Sequence, residues 1–95
     1  MRNGYVYILT NKPYGTLYIG MTSNMSQRLW QHRQGIASEF TEKYGCTRLV
    51  YHEVHDLVTT AIARETSLKR WKRNWKIDLI NAANPDWKDL DYTLV

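Results

Sequence analysis

Two runs of alternating side chains, YVYILT (5–10) and TLYIGM (16–21), stand on either side of NKPYG, a stretch of turn-forming residues. This constrains the chain more than anything else in it. Period-two alternation over β-forming residues, with turn chemistry between, predicts an N-terminal β-hairpin. A common four-residue loop at 11–14 sets Thr10 opposite Gly15, and Gly15 can take a positive φ there without steric cost. In that register Ile8 faces Leu17 and Val6 faces Ile19. One face then carries Val6, Ile8, Leu17, Ile19 and Met21 and reads as core. The other sets Tyr7 opposite Tyr18, Tyr5 opposite Gly20 and Leu9 opposite Thr16. Three phenols around a residue with no side chain make a candidate floor for a site. Tyrosines also favour half-buried strands for packing reasons alone.

The rest of the chain reads as alternating elements. Ser23 or Asn24 can cap a helix running to about Gln34, with Gly35 ending it. Residues 38–44 fit a short helix, and CTRLVYHEV (46–54) a third strand. A long helix follows from about Leu57 to Trp71 or beyond. Asn74 marks a bend into a second helical piece, which Asn84-Pro85 stops because proline disfavours a helical residue before it. The expected order is β-β-α-β-α-α, an α+β fold with a three-stranded, mainly antiparallel sheet flanked by helices. The expected domain is 1–83, with 84–95 as a partly ordered tail carrying Asp86, Asp89 and Asp91.

A chain of 95 residues suits one domain. Cys46 is the only cysteine, which excludes an internal disulfide and a cysteine-built zinc site. With no room for a signal peptide and no run of roughly 18 apolar residues, a soluble cytoplasmic protein with no membrane partner is the expectation. The net charge is +4, and its distribution says more than its size. Residues 1–38 hold no Asp or Glu and carry Arg2, Lys12, Arg28 and Arg33. KRWKRNWK (69–76) holds Lys69, Arg70, Lys72, Arg73 and Lys76. Segregated positive charge favours a polyanionic partner such as nucleic acid; the plain alternative is a solvated basic helix face. Trp71 and Trp75 within the run are expected to anchor the helix in the core.

Three polar residues stand out. Arg28 and His32 lie four apart on the first helix, beside the Met25/Leu29 stripe that must turn inward. A guanidinium and an imidazole there suit a phosphate pocket, since the planar fork of arginine binds two phosphate oxygens at once. A snorkelling arginine on an amphipathic edge is the other reading. On the long helix, Val58, Ala61, Ile62 and Leu68 define the buried stripe, and Glu65 points the same way. A carboxylate on a core face is costly unless paired or bound to a cation. Glu65 is therefore either a structural ion pair, with Arg28 or Lys69 as partner, or a metal ligand. Mg²⁺ commonly uses only one or two protein carboxylates. His52 and His55 are three apart, on opposite faces of a strand, and read as surface or structural.

The set in order, YVY (5–7), YIG (18–20), Arg28 ten residues after Tyr18, His32 one turn on and Glu65 on a downstream helix, resembles the GIY-YIG nuclease domain. ARETSLKRW and NPDWKDL resemble its small stand-alone bacterial members. The resemblance implies that Tyr7 and Tyr18 are the motif tyrosines, Arg28 the catalytic arginine and His32 the histidine found in many members. Glu65 would be the metal ligand for one Mg²⁺ or Mn²⁺. Two positions depart from the pattern. Tyr5 replaces the glycine of the first motif, and Thr10 stands where some members place a lysine. Asn74 and Asn81 are both candidates for the late asparagine that many members use on the scissile phosphate.

The residue types suit phosphodiester hydrolysis, which needs an activated water, a clamp for phosphoryl charge and help for the leaving oxygen. Tyr7 would accept the proton of the attacking water, with its pKa, ordinarily near 10, lowered by Arg28 and the metal ion. Tyr18 would orient water or phosphate, and His32 would serve as an alternative base or a phosphate contact. The 69–76 run would grip the DNA backbone without reading sequence. The resulting expectation is a metal-dependent DNA endonuclease, of the kind used in repair or recombination, in which a homodimer would supply a second active site. The rival is a nucleic-acid-binding module of the same fold without efficient catalysis.

Overall fold

The computed structural model describes residues 3–90. The expected cation Arg2 and the end of the expected tail, 91–95 with Asp91, lie outside the described residues. The strands are β1 (Gly4–Thr10), β2 (Leu17–Thr22) and β3 (Arg48–His55). The helices are α1 (Met25–Arg33), α2 (Glu39–Tyr44), α3 (Val58–Arg70) and α4 (Arg73–Ala83). The sheet has the order β2-β1-β3 and is antiparallel throughout, so the expected α+β architecture is the one found.

The hairpin register differs from expectation by two residues. Tyr7 pairs with Gly20, Ile8 with Ile19, Leu9 with Tyr18 and Thr10 with Leu17. A shift of two keeps every side chain on its face and changes only its partner. The cause is a longer loop, 11–16. Gly15 N–H donates to the Lys12 carbonyl, Thr16 N–H donates to the Asn11 side chain, and Thr10 Oγ1 donates to the Lys12 carbonyl. The residue with positive φ is Tyr14, at 60°, and not Gly15. Partners far along the chain hold the loop in this shape. Arg73 donates to the carbonyls of Tyr14 and Gly15 at 2.7 and 2.8 Å, and Trp87 stacks on Tyr14 at 4.6 Å.

Each face of the sheet is covered by helix, which gives two cores. Val6, Ile8, Ile19 and Val50 pack with Ala61 and Leu68 of α3 and Ile80 of α4. Side chains of this size contribute about 1.5–3 kcal/mol each when fully buried. On the tyrosine face, Tyr7 and Leu9 pack with Met25 and Leu29 of α1, Cys46 and Leu49. That face is thus a second core with a polar seam, and not an open floor. α1 begins where Asn24 accepts a hydrogen bond from Gln27 N–H, and Gly35, at φ 75°, follows its end.

The α3 stripe is narrower than the sequence suggests: Ala61 and Leu68 are buried, whereas Ile62 is 45% exposed. Gly4 permits this close docking, because a side chain there would run into Ala61 and the α3 backbone. The helix breaks at Trp71 and Lys72, both extended, two residues before the expected bend at Asn74. Trp71 packs against the core as expected, but Trp75 is 54% exposed. Residues 84–90 of the expected tail strap the edge of β3. Trp87 is buried, Leu90 N–H donates to the Leu49 carbonyl, and the Asp89 carboxylate accepts from Leu49 N–H. These bonds cover part of an edge that would otherwise offer free backbone groups.

Candidate active site

Gly20 and Tyr7 define the centre. They face each other across β1 and β2, and the Tyr7 ring lies where a side chain at position 20 would have to be. Tyr18, two pairs along and so on the same face, brings its ring centroid to 6.4 Å from that of Tyr7. From α1, the His32 ring stands edge-on to both, 5.6 Å from Tyr7 and 5.3 Å from Tyr18. The two motif tyrosines and the histidine therefore meet at one place, although the tyrosines are not paired across the strands.

A chain of hydrogen bonds runs inward from Tyr7. Its hydroxyl lies 2.9 Å from His32 Nε2, and His32 Nδ1 lies 3.0 Å from Thr41 Oγ1. The Thr41 hydroxyl proton goes to the Ser38 carbonyl at 3.1 Å. Threonine has a single O–H to give, so it accepts from His32, which places the imidazole proton on Nδ1. Nε2 then carries the lone pair and accepts the Tyr7 proton. His32 is 1% exposed, and burial first, then Arg28, lowers its pKa from 6.5 to about 4, so the ring is neutral at neutral pH. Thr41 was not legible in the sequence as part of the site. Its contact depends on α2 packing against α1, and no local spacing announces that.

Two charged groups act on the same phenol. Burial holds Tyr7 well above the ordinary phenol range, and Tyr18 adds to this; Arg28 draws it down, and Glu65 pushes it up. The expected effect of Arg28 is present in sign, but alone it is outweighed by burial. Arg28 is half-buried and forms no ion pair with a carboxylate among the described residues. Its guanidinium is available to an anion at the tyrosine cluster.

Glu65 lies between the buried Ala61 and Leu68 on α3, with its side chain 21% exposed, and pairs with Lys69 at 3.6 Å. Of the two expected partners the ion pair is with Lys69. An i,i+4 pair of this kind is worth about 0.3–0.5 kcal/mol, too little to hold the carboxylate against a divalent cation. No group of three or more His, Cys, Asp or Glu gathers among the described residues. One partly exposed carboxylate fits an ion that keeps most of its water shell, as Mg²⁺ does.

The basic run divides between several tasks. Lys69 and Lys76, with Tyr18, Phe40, Leu17 and Ile19, line a hollow of about 260 Å³ at the β2 edge. Lys72 lies 5.7 Å over the Trp75 ring, and Arg70 is exposed. Arg73 is committed to the hairpin loop, so its expected service on nucleic acid is secondary to a structural one. Asn81 accepts from Trp87 Nε1 and from the Tyr14 hydroxyl, and is likewise structural; Asn74 is exposed. His55 bonds Glu53, which Arg64 also holds, tying β3 to α3; His52 is half-buried in β3.

Comparison with known proteins agrees with the fold. Residues 3–78 match the family model of the GIY-YIG catalytic domain. A UPF0213 protein of Clostridium perfringens is 37% identical over 78 residues, covering 82% of this chain and 83% of the relative. One from Syntrophus aciditrophicus is 34% identical over 87 residues, 90% of this chain and 98% of the relative. The solution NMR structure of the UPF0213 protein from Bacillus halodurans superposes with a TM-score of 0.58 at 28% identity, covering 92% of each chain. Among the described residues, no helix is long and apolar enough to cross a membrane.

Proposed function

The chain belongs to the GIY-YIG family of nuclease domains, and from that premise we propose that it is a divalent-metal-dependent endonuclease hydrolysing DNA phosphodiester bonds. The observation that carries this reading is the meeting of Tyr7, Tyr18 and His32, with Arg28 and Glu65 both acting on Tyr7. The catalytic unit in this reading is the domain 1–83 with residues 84–90 strapped to it. A role in repair or recombination is the setting such an activity suits.

Tyr7 takes a proton from the attacking water as it gives its own to His32 Nε2. The water O–H and the Tyr7 O–H break, a new Tyr7 O–H and a His32 N–H form, and no free phenolate is needed. The neutral Nδ1–H form of His32 supports this direction of transfer. A phosphate seated on Arg28 would offset the guanidinium charge that helps depress His32, making the ring more basic once substrate is bound. Arg28 clamps the non-bridging oxygens, and Tyr18 orients the phosphate or the water. Glu65 is the residue that would hold one Mg²⁺ or Mn²⁺, whose charge, when bound, stabilises a phosphoryl oxygen and the leaving oxygen.

The test is nicking of supercoiled plasmid with Mg²⁺ or Mn²⁺ by the purified protein, beside Glu65→Ala and Arg28→Ala. The expected result is cleavage that falls by at least about a hundredfold in each variant. Cleavage surviving both changes rejects the site. DNA binding with no cleavage under any metal condition points to a binding module of the same fold.

A further inference from the structure

The aromatic cluster does not stop at Tyr18. Phe40 lies 5.8 Å from the Tyr18 ring with its plane tilted 32°, and Tyr44 lies 4.8 Å from Phe40. Phe40 and Tyr44 sit four apart on α2 and so share a face. Ser38 fixes the start of that helix by accepting from the N–H groups of Phe40 and Thr41. Both rings are open to solvent, 41% and 43% exposed. Large rings are left exposed at a cost when a core lies within reach, and here two stand in file outward from the half-buried Tyr18.

Positive charge runs alongside. Lys69 and Lys76 line the same hollow as Tyr18 and Phe40, and the Lys69 side chain is 55% exposed despite its pairing with Glu65. Lys43 stands 5.3 Å over the Tyr44 ring at the far end. The hollow combines an apolar floor, two rings and two ammonium groups, which are the parts needed to hold a base and its phosphate. The larger groove lined by Trp71, Trp75 and Leu79 also has two rings, with Arg64 and Lys72 lying over them, but no cation lines it and the Asp78 carboxylate forms part of its wall, which disfavours a phosphate.

A base inside a duplex has both faces covered by its neighbours and cannot present one to a protein ring without leaving the stack. Stacking on a file of side chains suits unpaired nucleotides and tolerates any base. We propose that Tyr18, Phe40 and Tyr44, with Lys69 and Lys76, form a track for unpaired DNA, so that the strand cut at this site is single-stranded where it meets the protein. The placement of the cut rests on the nuclease reading above; the strand preference rests on the track alone.

The experiment is fluorescence anisotropy in EDTA, which separates binding from cleavage. The probes are a labelled oligothymidylate about twelve nucleotides long and a labelled duplex of equal length. The expected result is tighter binding of the single strand. Phe40→Ala weakens that binding about tenfold and changes duplex binding less than about twofold, and Phe40→Trp retains it. Equal affinity for both probes, or single-strand binding untouched by Phe40→Ala, overturns the proposal. A dimer in light scattering that Phe40→Ala dissociates, with no strand preference, assigns the rings to a second copy and also overturns it. Single-strand binding that depends on Phe40 but is followed by no Mg²⁺-dependent cutting supports the track and counts against the nuclease reading only.

Discussion

The ring of Tyr7 fills the space that a side chain on Gly20 would need, and the two residues face each other across β1 and β2. The glycine of the second motif is thus the seat of the tyrosine of the first. Tyr7 can lie flat over the neighbouring strand and still reach His32 only because position 20 is bare.

This makes Gly20→Ala an informative variant. The added methyl meets the Tyr7 ring near its hydroxyl. Overpacking of this kind costs about 1–3 kcal/mol, and in a domain of this size each kcal/mol lowers Tm by about 4–8 °C. Tyr7 is displaced from His32, so nicking falls by more than tenfold even where the protein remains folded. Full activity with an unchanged Tm would show that the ring does not need that seat.

Thr41 is expected to act through His32. Thr41→Val removes the acceptor at 3.0 Å from Nδ1 while keeping the shape of the side chain. It leaves a buried N–H without a partner, at a cost of about 1–3 kcal/mol. Nitrogen-15 NMR of the imidazole should read the Nδ1–H form in the native protein and in Thr41→Ser, and a mixed or inverted population in Thr41→Val. Cleavage by Thr41→Ser should stay within about twofold, with Thr41→Val about tenfold slower or worse. A native spectrum showing the proton on Nε2 would contradict the assigned relay.

Acid should destabilise the fold through His32. Its folded pKa, about 4, lies below its ordinary 6.5, so between those values the unfolded chain binds the proton more readily. Stability from this group is complete above about pH 6.5 and is lost as pH falls toward 4. The contribution is on the order of 3 kcal/mol. Urea titrations at several pH values should show a steeper loss below pH 6.5 for the native protein than for His32→Gln, which has no ring to titrate. Parallel curves would place the pH dependence elsewhere.

The strap is expected to carry stability. Trp87 is 1% exposed, stacks on Tyr14 and donates to Asn81 at 2.6 Å. Trp87→Ala should cost about 3–5 kcal/mol, a large share of a domain's usual 5–15. A urea midpoint close to native would mean that residues 84–90 are dispensable to the fold.

How far the site was legible in the sequence varies residue by residue. Arg28 and His32 were readable because four residues on a helix share a face whatever the surroundings. Glu65 was readable because it falls between Ala61 and Leu68 in a stripe that has to meet the sheet. Phe40 and Thr41 were not, since a six-residue helix carries too little periodicity to say which of its sides meets α1. Nor could the sequence show that burial outweighs Arg28 at Tyr7, because that balance depends on how completely α1 covers the tyrosine face.

Alternation by itself determined which residues share a face of the hairpin, since period two fixes parity whatever the loop does. Caps, glycines and Asn84-Pro85 supplied the order of elements, and residue identity at fixed spacing supplied the motif residues that mark the family. The pairing of Tyr7 with Gly20 was decided only by the tertiary structure. Parity allows any shift of two, and the loop that selects among them is held by Arg73 and Trp87, whose place beside Tyr14 exists only once α4 and the strap have packed. The position of the imidazole proton was decided in the same way, by a threonine that reaches His32 only after α2 has docked.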